Sequence, residues 1–224
     1  MLFAGSIAYF IWWLLRLDGI EPGTGAPWSW RAGLPPTMWD VALFSVFALH
    51  HSLLARMGWR ERVRRSVPAN LERSTYVWSA SLLFIVVCAA WRPVPGVLWS
   101  AGAAWPIPVT LQVAGGLATI AAVRRIDVLD LSGLRQTFGR DDSTRVVHTS
   151  GLYAIVRHPI YLAWIVVMWA ARDMTGTRLV FAAVSSLYLA VAIPFEERDL
   201  CRTMGEPYRH YQRRIRWRLI PFVW

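Results

Sequence analysis

Long apolar runs separated by arginine-rich loops constrain this chain more than any other feature. Candidate helices read as Leu2–Leu17, Met38–Ala55, Ser74–Trp91, Pro106–Val123, Ile160–Ala171 and Arg178–Phe195. Several approach the roughly 20 residues an α-helix needs to cross a bilayer. With 224 residues, 55% of them hydrophobic, 14 Trp and a mean hydropathy of +0.36, the chain departs from soluble-domain composition. The expectation is an all-α, polytopic integral-membrane bundle of five to six transmembrane helices, forming one domain over residues 1–224. The tight turn Arg172–Thr177 and the short fifth run leave the number of crossings open between five and six. Leu2–Leu17 lacks a basic leader and an Ala-x-Ala cleavage site, so it reads as a retained helix rather than a signal peptide.

Charge gives the orientation. The net charge is +10, and all 24 basic residues are Arg. Absence of Lys excludes a Schiff-base lysine and a P-loop. Arg56, Arg60, Arg62, Arg64, Arg65 and Arg73 crowd one loop; the segment 124–157 and the tail after Phe195 are also Arg-rich. Segments 18–37 and 92–105 carry one Arg each, Arg31 and Arg92. The positive-inside rule then places the basic loops and both termini in the cytoplasm of an inner membrane. Trp28, Trp30, Trp39, Trp99 and Trp105 fall on the other face, as an interfacial aromatic belt. The basic excess is thus a topology signal and not a nucleic-acid footprint. Cys88 and Cys201 suit neither a disulfide framework nor a metal site, and no metal is expected.

Polar residues concentrate at one edge of the last hairpin, where charge is costly unless it is used. Arg157-His158-Pro159 precedes the fifth run. Pro suits a first helical position, and the free N–H groups beyond it carry partial positive charge. A carboxylate can dock there with Arg157 as ion partner. Glu196-Glu197 ends the sixth run after Pro194, which deprives the Ala190 carbonyl of its helical donor. Consecutive helical side chains point about 100° apart, so one Glu faces a cofactor and the other an Arg. Each piece also has a plain structural reading as a helix start or a solvated helix end. The tail, with Tyr208, Tyr211 and Arg213–Arg218, reads as a basic amphipathic segment on anionic lipid.

These pieces in order, namely Arg157-His158-Pro159-Ile160-Tyr161, then Glu196-Glu197 35 positions after Tyr161, then Gly205 with Tyr208 and Tyr211, then Ile220-Pro221, resemble the isoprenylcysteine carboxyl methyltransferase superfamily. Its members are integral-membrane enzymes that use S-adenosylmethionine. Many have Gly where Ala163 stands here, Pro for Leu152 and Arg for Ala154. The resemblance implies a cytoplasmic cofactor pocket in residues 124–224, following transmembrane helices in 1–123. It implies cofactor contacts from Gln136, His148, Tyr153, Arg157, His158, Pro159, Tyr161, Leu162, Glu196, Glu197 and Tyr208. Sterol reductases share the Arg-His-Pro-x-Tyr element but are larger and use a nicotinamide cofactor.

The N-terminal half narrows the likeness. His51-Ser52-Leu53-Leu54-Ala55-Arg56, Glu72-Arg73-Ser74-Thr75-Tyr76-Val77, and Asp130 with Gly133-Leu134-Arg135-Gln136 resemble the branch of bacterial methanethiol S-methyltransferases and NnrU-like proteins. That branch implies a small thiol substrate, with methanethiol going to dimethyl sulfide. The substrate contacts it implies are His50, His51, Ser74 and Tyr76. His50 and His51 face different directions, so at least one can face the bundle interior; Glu72, Arg73 or Ser74 reads alternatively as a helix cap. A small thiol has a pKa at or above about 8.5, so a base is useful. His51, His158 or a Glu such as Glu197 are the candidate catalytic groups. The alternatives are a methyltransferase for isoprenylcysteine or another lipophilic thiol, and a non-catalytic NnrU-like membrane protein.

Overall fold

The computed structural model describes residues 2–17, 34–55, 67–68, 71–125 and 146–224. In chain order the elements are α1 (Leu2–Leu17), α2 (Pro36–Ala55), α3 (Glu72–Ala90), β1 (Val97–Ser100), α4 (Pro106–Val123), α5 (Pro159–Trp169), β2 (Asp173–Thr175), α6 (Gly176–Met204) and α7 (Glu206–Arg214), with 3-10 turns at Gly102–Ala104 and Gly151–Ala154. Proline opens α2, α4 and α5, where its missing N–H costs no intrahelical bond. At the start of α6 the Thr175 hydroxyl accepts the Arg178 N–H at 3.2 Å, a side-chain cap that satisfies one orphan donor.

Among the described residues, four helical stretches are long and apolar enough to cross a membrane: Pro36–Leu54, Glu72–Ala90, Gly102–Val123 and Gly176–Met204. Their outward faces carry apolar side chains such as Leu49, 62% exposed, and Leu117, 61% exposed. In water such surface invites association; in a bilayer it matches the solvent. The protein is an integral-membrane helical bundle. At 16 and 11 residues, α1 and α5 are apolar but shorter, so four of the expected five to six spans meet this length and composition among the described residues.

Helix α1 packs on α3, α2 lies against α3 and α6, and α5 is held between α4 and α6. The core is aromatic: Phe10, Trp13, Phe44, Trp91 and Phe181 are buried together. The Phe10 ring stacks on Trp164 at 5.0 Å and on Phe181 at 5.8 Å, and such ring pairs add to the value of burial alone. The α4–α5 approach depends on Gly115, where an added Cβ would stand 2.7 Å from Val167 Cγ2 and 3.1 Å from the Ala163 carbonyl oxygen. The close approach expected of a glycine at position 163 is thus supplied from the opposite helix.

Three features differ from the sequence-based expectation. A short antiparallel ribbon, β1 with β2, pairs Val97 with Thr175 and Ser100 with Asp173, so the described fold is helical with one two-stranded ribbon. That ribbon closes the end of the bundle where Asp40, fully buried, accepts the Arg92 N–H at 2.8 Å. Second, α6 does not stop at Phe195. It continues through Pro194 to Met204, 29 residues in all, or about 43 Å at 1.5 Å per residue. This exceeds the roughly 30 Å hydrocarbon core, and its last turns carry the charged residues out of the apolar layer. Third, α3 begins at Glu72, so Glu72, Arg73 and Ser74 lie inside the helix rather than capping it, and Leu71 in the cap position has no side-chain acceptor to offer.

Candidate functional site

Two polar groupings stand where α5 begins and α6 leaves its apolar stretch, and the C-terminal tail closes over one of them. Gly205 ends α6 at φ +65°, a left-handed conformation that glycine adopts without Cβ strain. The chain can therefore reverse into α7 and run back beside α5. There the Arg157 N–H donates to the Trp217 carbonyl and the His158 N–H to the Arg218 carbonyl, both at 2.9 Å. Tyr211 adds a hydroxyl bond to the Tyr153 carbonyl at 2.7 Å.

Under this closure lies an ionic knot. Arg157 grips Glu197 with two parallel bonds, Nε to Oε1 at 2.5 Å and Nη2 to Oε2 at 3.2 Å. Their side chains are only 7% and 5% exposed. Arg157 Nη1 also donates to the carbonyls of Ile215 at 2.7 Å and Arg216 at 3.2 Å. Glu197 receives further bonds from Arg218 Nε at 3.1 Å and Gln212 Nε2 at 3.3 Å, and its Oε1 is 3.4 Å from His158 Nε2. The fork geometry makes the pair both strong and specific. The ion partner of Arg157 is thus a carboxylate of this chain, and Arg157 and Glu197 satisfy each other.

Glu196 points elsewhere. Its side chain is 40% exposed and its Oε2 lies 3.8 Å from His158 Nδ1. The Tyr161 hydroxyl donates to the same oxygen at 2.7 Å. The His158 ring stacks on Tyr161, 5.4 Å between centroids and 6° between planes, fixing both rings at the carboxylate.

Glu196 lines a cavity of about 780 Å³ between α2 and α6, which Tyr161, Tyr76, Tyr188, His51 and Phe195 also line. A second, mainly apolar cavity of about 620 Å³ is bounded by α1, α2, α3, α5 and α6, with Phe44, Phe47, Phe84, Trp164, Glu72 and Arg73 in its wall. Phe44, His51, Tyr76, Tyr161 and Tyr188 border both. At this shared wall the Tyr76 hydroxyl meets the His51 ring, 3.1 Å from Nδ1. Ser52 Oγ donates to the Tyr188 hydroxyl at 3.2 Å.

The structure therefore sorts the residues expected from sequence. His51, Tyr76, Tyr161 and Glu196 gather around the paired cavities. Arg157, His158 and Glu197 form the knot beside them, with Pro159 buried as the first residue of α5. Leu162, half-buried, continues the first turn by donating its N–H to the His158 carbonyl at 3.1 Å. Tyr208 is packed with Tyr211 and Ile215 against Leu200 and Met204 and itself lines neither cavity. His148 approaches Tyr153, 6.3 Å between rings. His50 and Ser74 border neither cavity. Gln136, together with Asp127, Asp130 and the basic cluster Arg56–Arg65, lies outside the described residues.

Burial pushes the Tyr153 phenol up to about 12 and raises those of Tyr208 and Tyr211 further. All three remain neutral hydroxyls at physiological pH. Both described cysteines are free thiols, and no metal-ligating cluster occurs among the described residues. Sequence reasoning missed Tyr188, Trp164, Gln212 and Arg218. Tyr188 and Trp164 carried no signal beyond their place in apolar runs; Arg218 was legible only as one of a row of tail arginines.

Comparison with known proteins gives this arrangement its class. Residues 135–202 match the isoprenylcysteine carboxyl methyltransferase (ICMT) family, a segment that includes α5 and nearly all of α6. Methanethiol S-methyltransferase 2 of Bradyrhizobium diazoefficiens is 37% identical over 182 residues, covering 79% of this chain and 70% of that protein. The methanethiol S-methyltransferase of Pseudomonas sp. strain GM41(2012) is 31% identical over 219 residues, covering 92% and 84%. Nurim of Bos taurus is 29% identical over 182 residues, covering 75% and 70%. No solved structure matches the chain. The protein is a membrane methyltransferase. It belongs to the isoprenylcysteine carboxyl methyltransferase family, and the likeness to the methanethiol S-methyltransferases runs through most of its length.

Proposed function

We propose that this enzyme transfers a methyl group from S-adenosylmethionine to methanethiol, forming dimethyl sulfide. The observation that carries the reading is the surroundings of Glu196: a partly exposed carboxylate, oriented by Tyr161 and His158, in a cavity walled by aromatic rings. A carboxylate beside π-faces suits a sulfonium cation, so the residues present fit the donor. Bound there, S-adenosylmethionine supplies an electrophilic methyl group. Glu196 and Tyr161 would hold the cation, with His158 bracing Tyr161 by its ring. Arg157 and Glu197 act as positioning residues, fixing the start of α5 and the tail that closes over it.

The acceptor enters from the apolar side. His51, turned to both cavities and hydrogen-bonded to Tyr76, takes the thiol proton. Held by Glu196 and Tyr161, S-adenosylmethionine would supply its methyl group to that thiolate and leave as S-adenosylhomocysteine. Dimethyl sulfide, S-adenosylhomocysteine and the proton held by His51 are the products. Aromatic walls keep water from the reacting pair and favour an apolar methylthio group.

The same reading puts the enzyme in a bacterial inner membrane with α1 and the α5–α6 hairpin completing five to six crossings. Both termini and the donor cavity face the cytoplasm, as the arginine distribution requires. A second acceptor, a longer lipophilic thiol or a prenylated cysteine, is favoured by one observation: the 620 Å³ apolar cavity is far larger than methanethiol. Headspace gas analysis of purified protein given S-adenosylmethionine and a graded panel of thiols decides between them. Dimethyl sulfide as the fastest product supports the first reading; a rate rising with chain length supports the second. Calorimetry showing no saturable binding of S-adenosylhomocysteine would remove both.

A further inference from the structure

The tail beyond the knot ends in a feature that the methyl-transfer reading does not use. Residues Leu219–Trp224 close a tight turn: Leu219 and Ile220 donate their N–H groups to the Trp224 carbonyl at 2.9 and 3.1 Å, and Trp224 donates back to the Ile220 carbonyl at 3.0 Å. At its tip Phe222 has φ +66°, the left-handed region that a bulky residue occupies only when surrounding structure imposes it. The strain does not serve burial. Phe222 is 86% exposed and Val223 74%, while Leu219 behind them is buried. The turn spends conformational energy to push two large apolar side chains outward.

Charge surrounds them. Arg214 and Arg216 are exposed, and neither has an ion-pair partner among the described residues, whereas Arg209 and Arg213 pair with Glu206 and Arg218 with Glu197. Trp217 packs against Phe222, 5.3 Å between centroids, and the Arg218 guanidinium lies over the Trp224 ring. The height of the turn is set by the backbone bonds from Arg157 and His158 to Trp217 and Arg218. These fix it beside the first residue of α5, where α6 passes from its apolar stretch to Glu196 and the charged turns beyond. Residues at the end of an apolar span stand at the level of the lipid headgroups.

Apolar tip, unpartnered guanidiniums and interfacial height fit one partner. We infer that the turn Leu219–Trp224 is a bilayer-docking element: Phe222 and Val223 enter the interface of the adjoining leaflet while Arg214 and Arg216 bind anionic headgroups. Docking braces the knot, because the carbonyls that accept from Arg157 and His158 belong to the same stretch of tail.

The test places an environment-sensitive NBD fluorophore on Val223→Cys in a Cys201→Ser background; the remaining Cys88 is buried. The full-length protein is reconstituted in phosphatidylcholine vesicles with and without phosphatidylglycerol. The expected result is blue-shifted emission, quenched by doxyl-labelled acyl chains, that strengthens with phosphatidylglycerol. Arg214→Gln with Arg216→Gln weakens docking by roughly fivefold per charge removed. Phe222→Gly, which suits the left-handed backbone, retains the turn but shortens the penetration depth. Water-like emission in both vesicle types overturns the inference, as would docking equal in both and indifferent to the arginine substitutions. No outcome depends on catalytic turnover, so failure here is distinct from failure of the proposed reaction.

Discussion

Glu196 and Glu197 are adjacent on α6 yet face opposite chemistry: Glu197 is locked 2.5 Å from Arg157 with its side chain 5% exposed, and Glu196 accepts the Tyr161 hydroxyl with its side chain 40% exposed to a cavity. A helix turns about 100° per residue, which suffices to separate a carboxylate held in an ion pair from one that faces a cavity. The two therefore respond differently to the same substitution.

Glu197→Gln removes the charge that Arg157 and Arg218 share and leaves Arg157 buried without it. Breaking one partner of a buried pair costs about 3–5 kcal/mol, so the thermal unfolding midpoint of the detergent-solubilised protein falls clearly. Glu196→Gln leaves that midpoint nearly unchanged and instead weakens S-adenosylmethionine binding by about 10- to 100-fold, the worth of one charge-assisted contact. Thermal scans and calorimetry on both variants read the contrast. Equal effects in both assays would undo the assignment.

Arg157→Lys keeps the charge and loses the fork. An ammonium cannot make two parallel bonds to Glu197 while also reaching the Ile215 and Arg216 carbonyls. The tail is then held less firmly, and limited proteolysis should cut after the arginines of 209–218 several-fold faster than in the parent protein. Unchanged cleavage would mean that the tail is held by the aromatic cluster of Tyr208 and Tyr211 alone.

Much of the architecture was legible because apolar spans leave a strong signal. The Pro106–Val123 boundaries agree between sequence and structure, since Pro106 opens that helix and Arg124 follows its end. The end of α6 was misjudged because hydropathy falls at Glu196 whereas helix propensity does not: Glu, Arg, Leu and Met are all good helix formers. The β1–β2 ribbon was invisible, as strands of four and three residues are too short to show a period. Within the site, the divergence of the paired glutamates follows from helix geometry. That Arg157 is the partner of Glu197 depends on how the start of α5 packs beside α6, a long-range contact with no periodic trace. Tyr188 was hidden for a related reason, since one tyrosine in an apolar run carries no mark of the cavity it borders.

Gly115→Ala tests the packing that seats α5. The new Cβ meets Val167 Cγ2 and, less closely, the Ala163 carbonyl, and overpacking of this kind costs about 1–3 kcal/mol. The double variant Gly115→Ala with Val167→Ala removes the side-chain clash but not the backbone one, so it regains only part of the loss. Thermal unfolding of the set gives the coupling. Full tolerance of the single variant would show that α5 can shift away from α4 without cost, and would make the glycine incidental.

The proposed base makes a prediction in pH. If His51 removes the thiol proton, His51→Gln lowers turnover by about 10²–10⁴-fold near neutrality. The thiol ionises unaided as pH approaches its own pKa, at or above about 8.5. The deficit must then shrink with rising pH, because thiolate formed in solution no longer needs the imidazole. Tyr76→Phe, which deletes the hydroxyl 3.1 Å from His51 and leaves the imidazole in place, should give a smaller loss with the same direction of recovery. Dimethyl sulfide formation measured from pH 6 to about 9.5 on the parent and both variants reads this out. A His51→Gln deficit constant across that range would assign the residue to shaping the wall between the two cavities, and proton removal to another group.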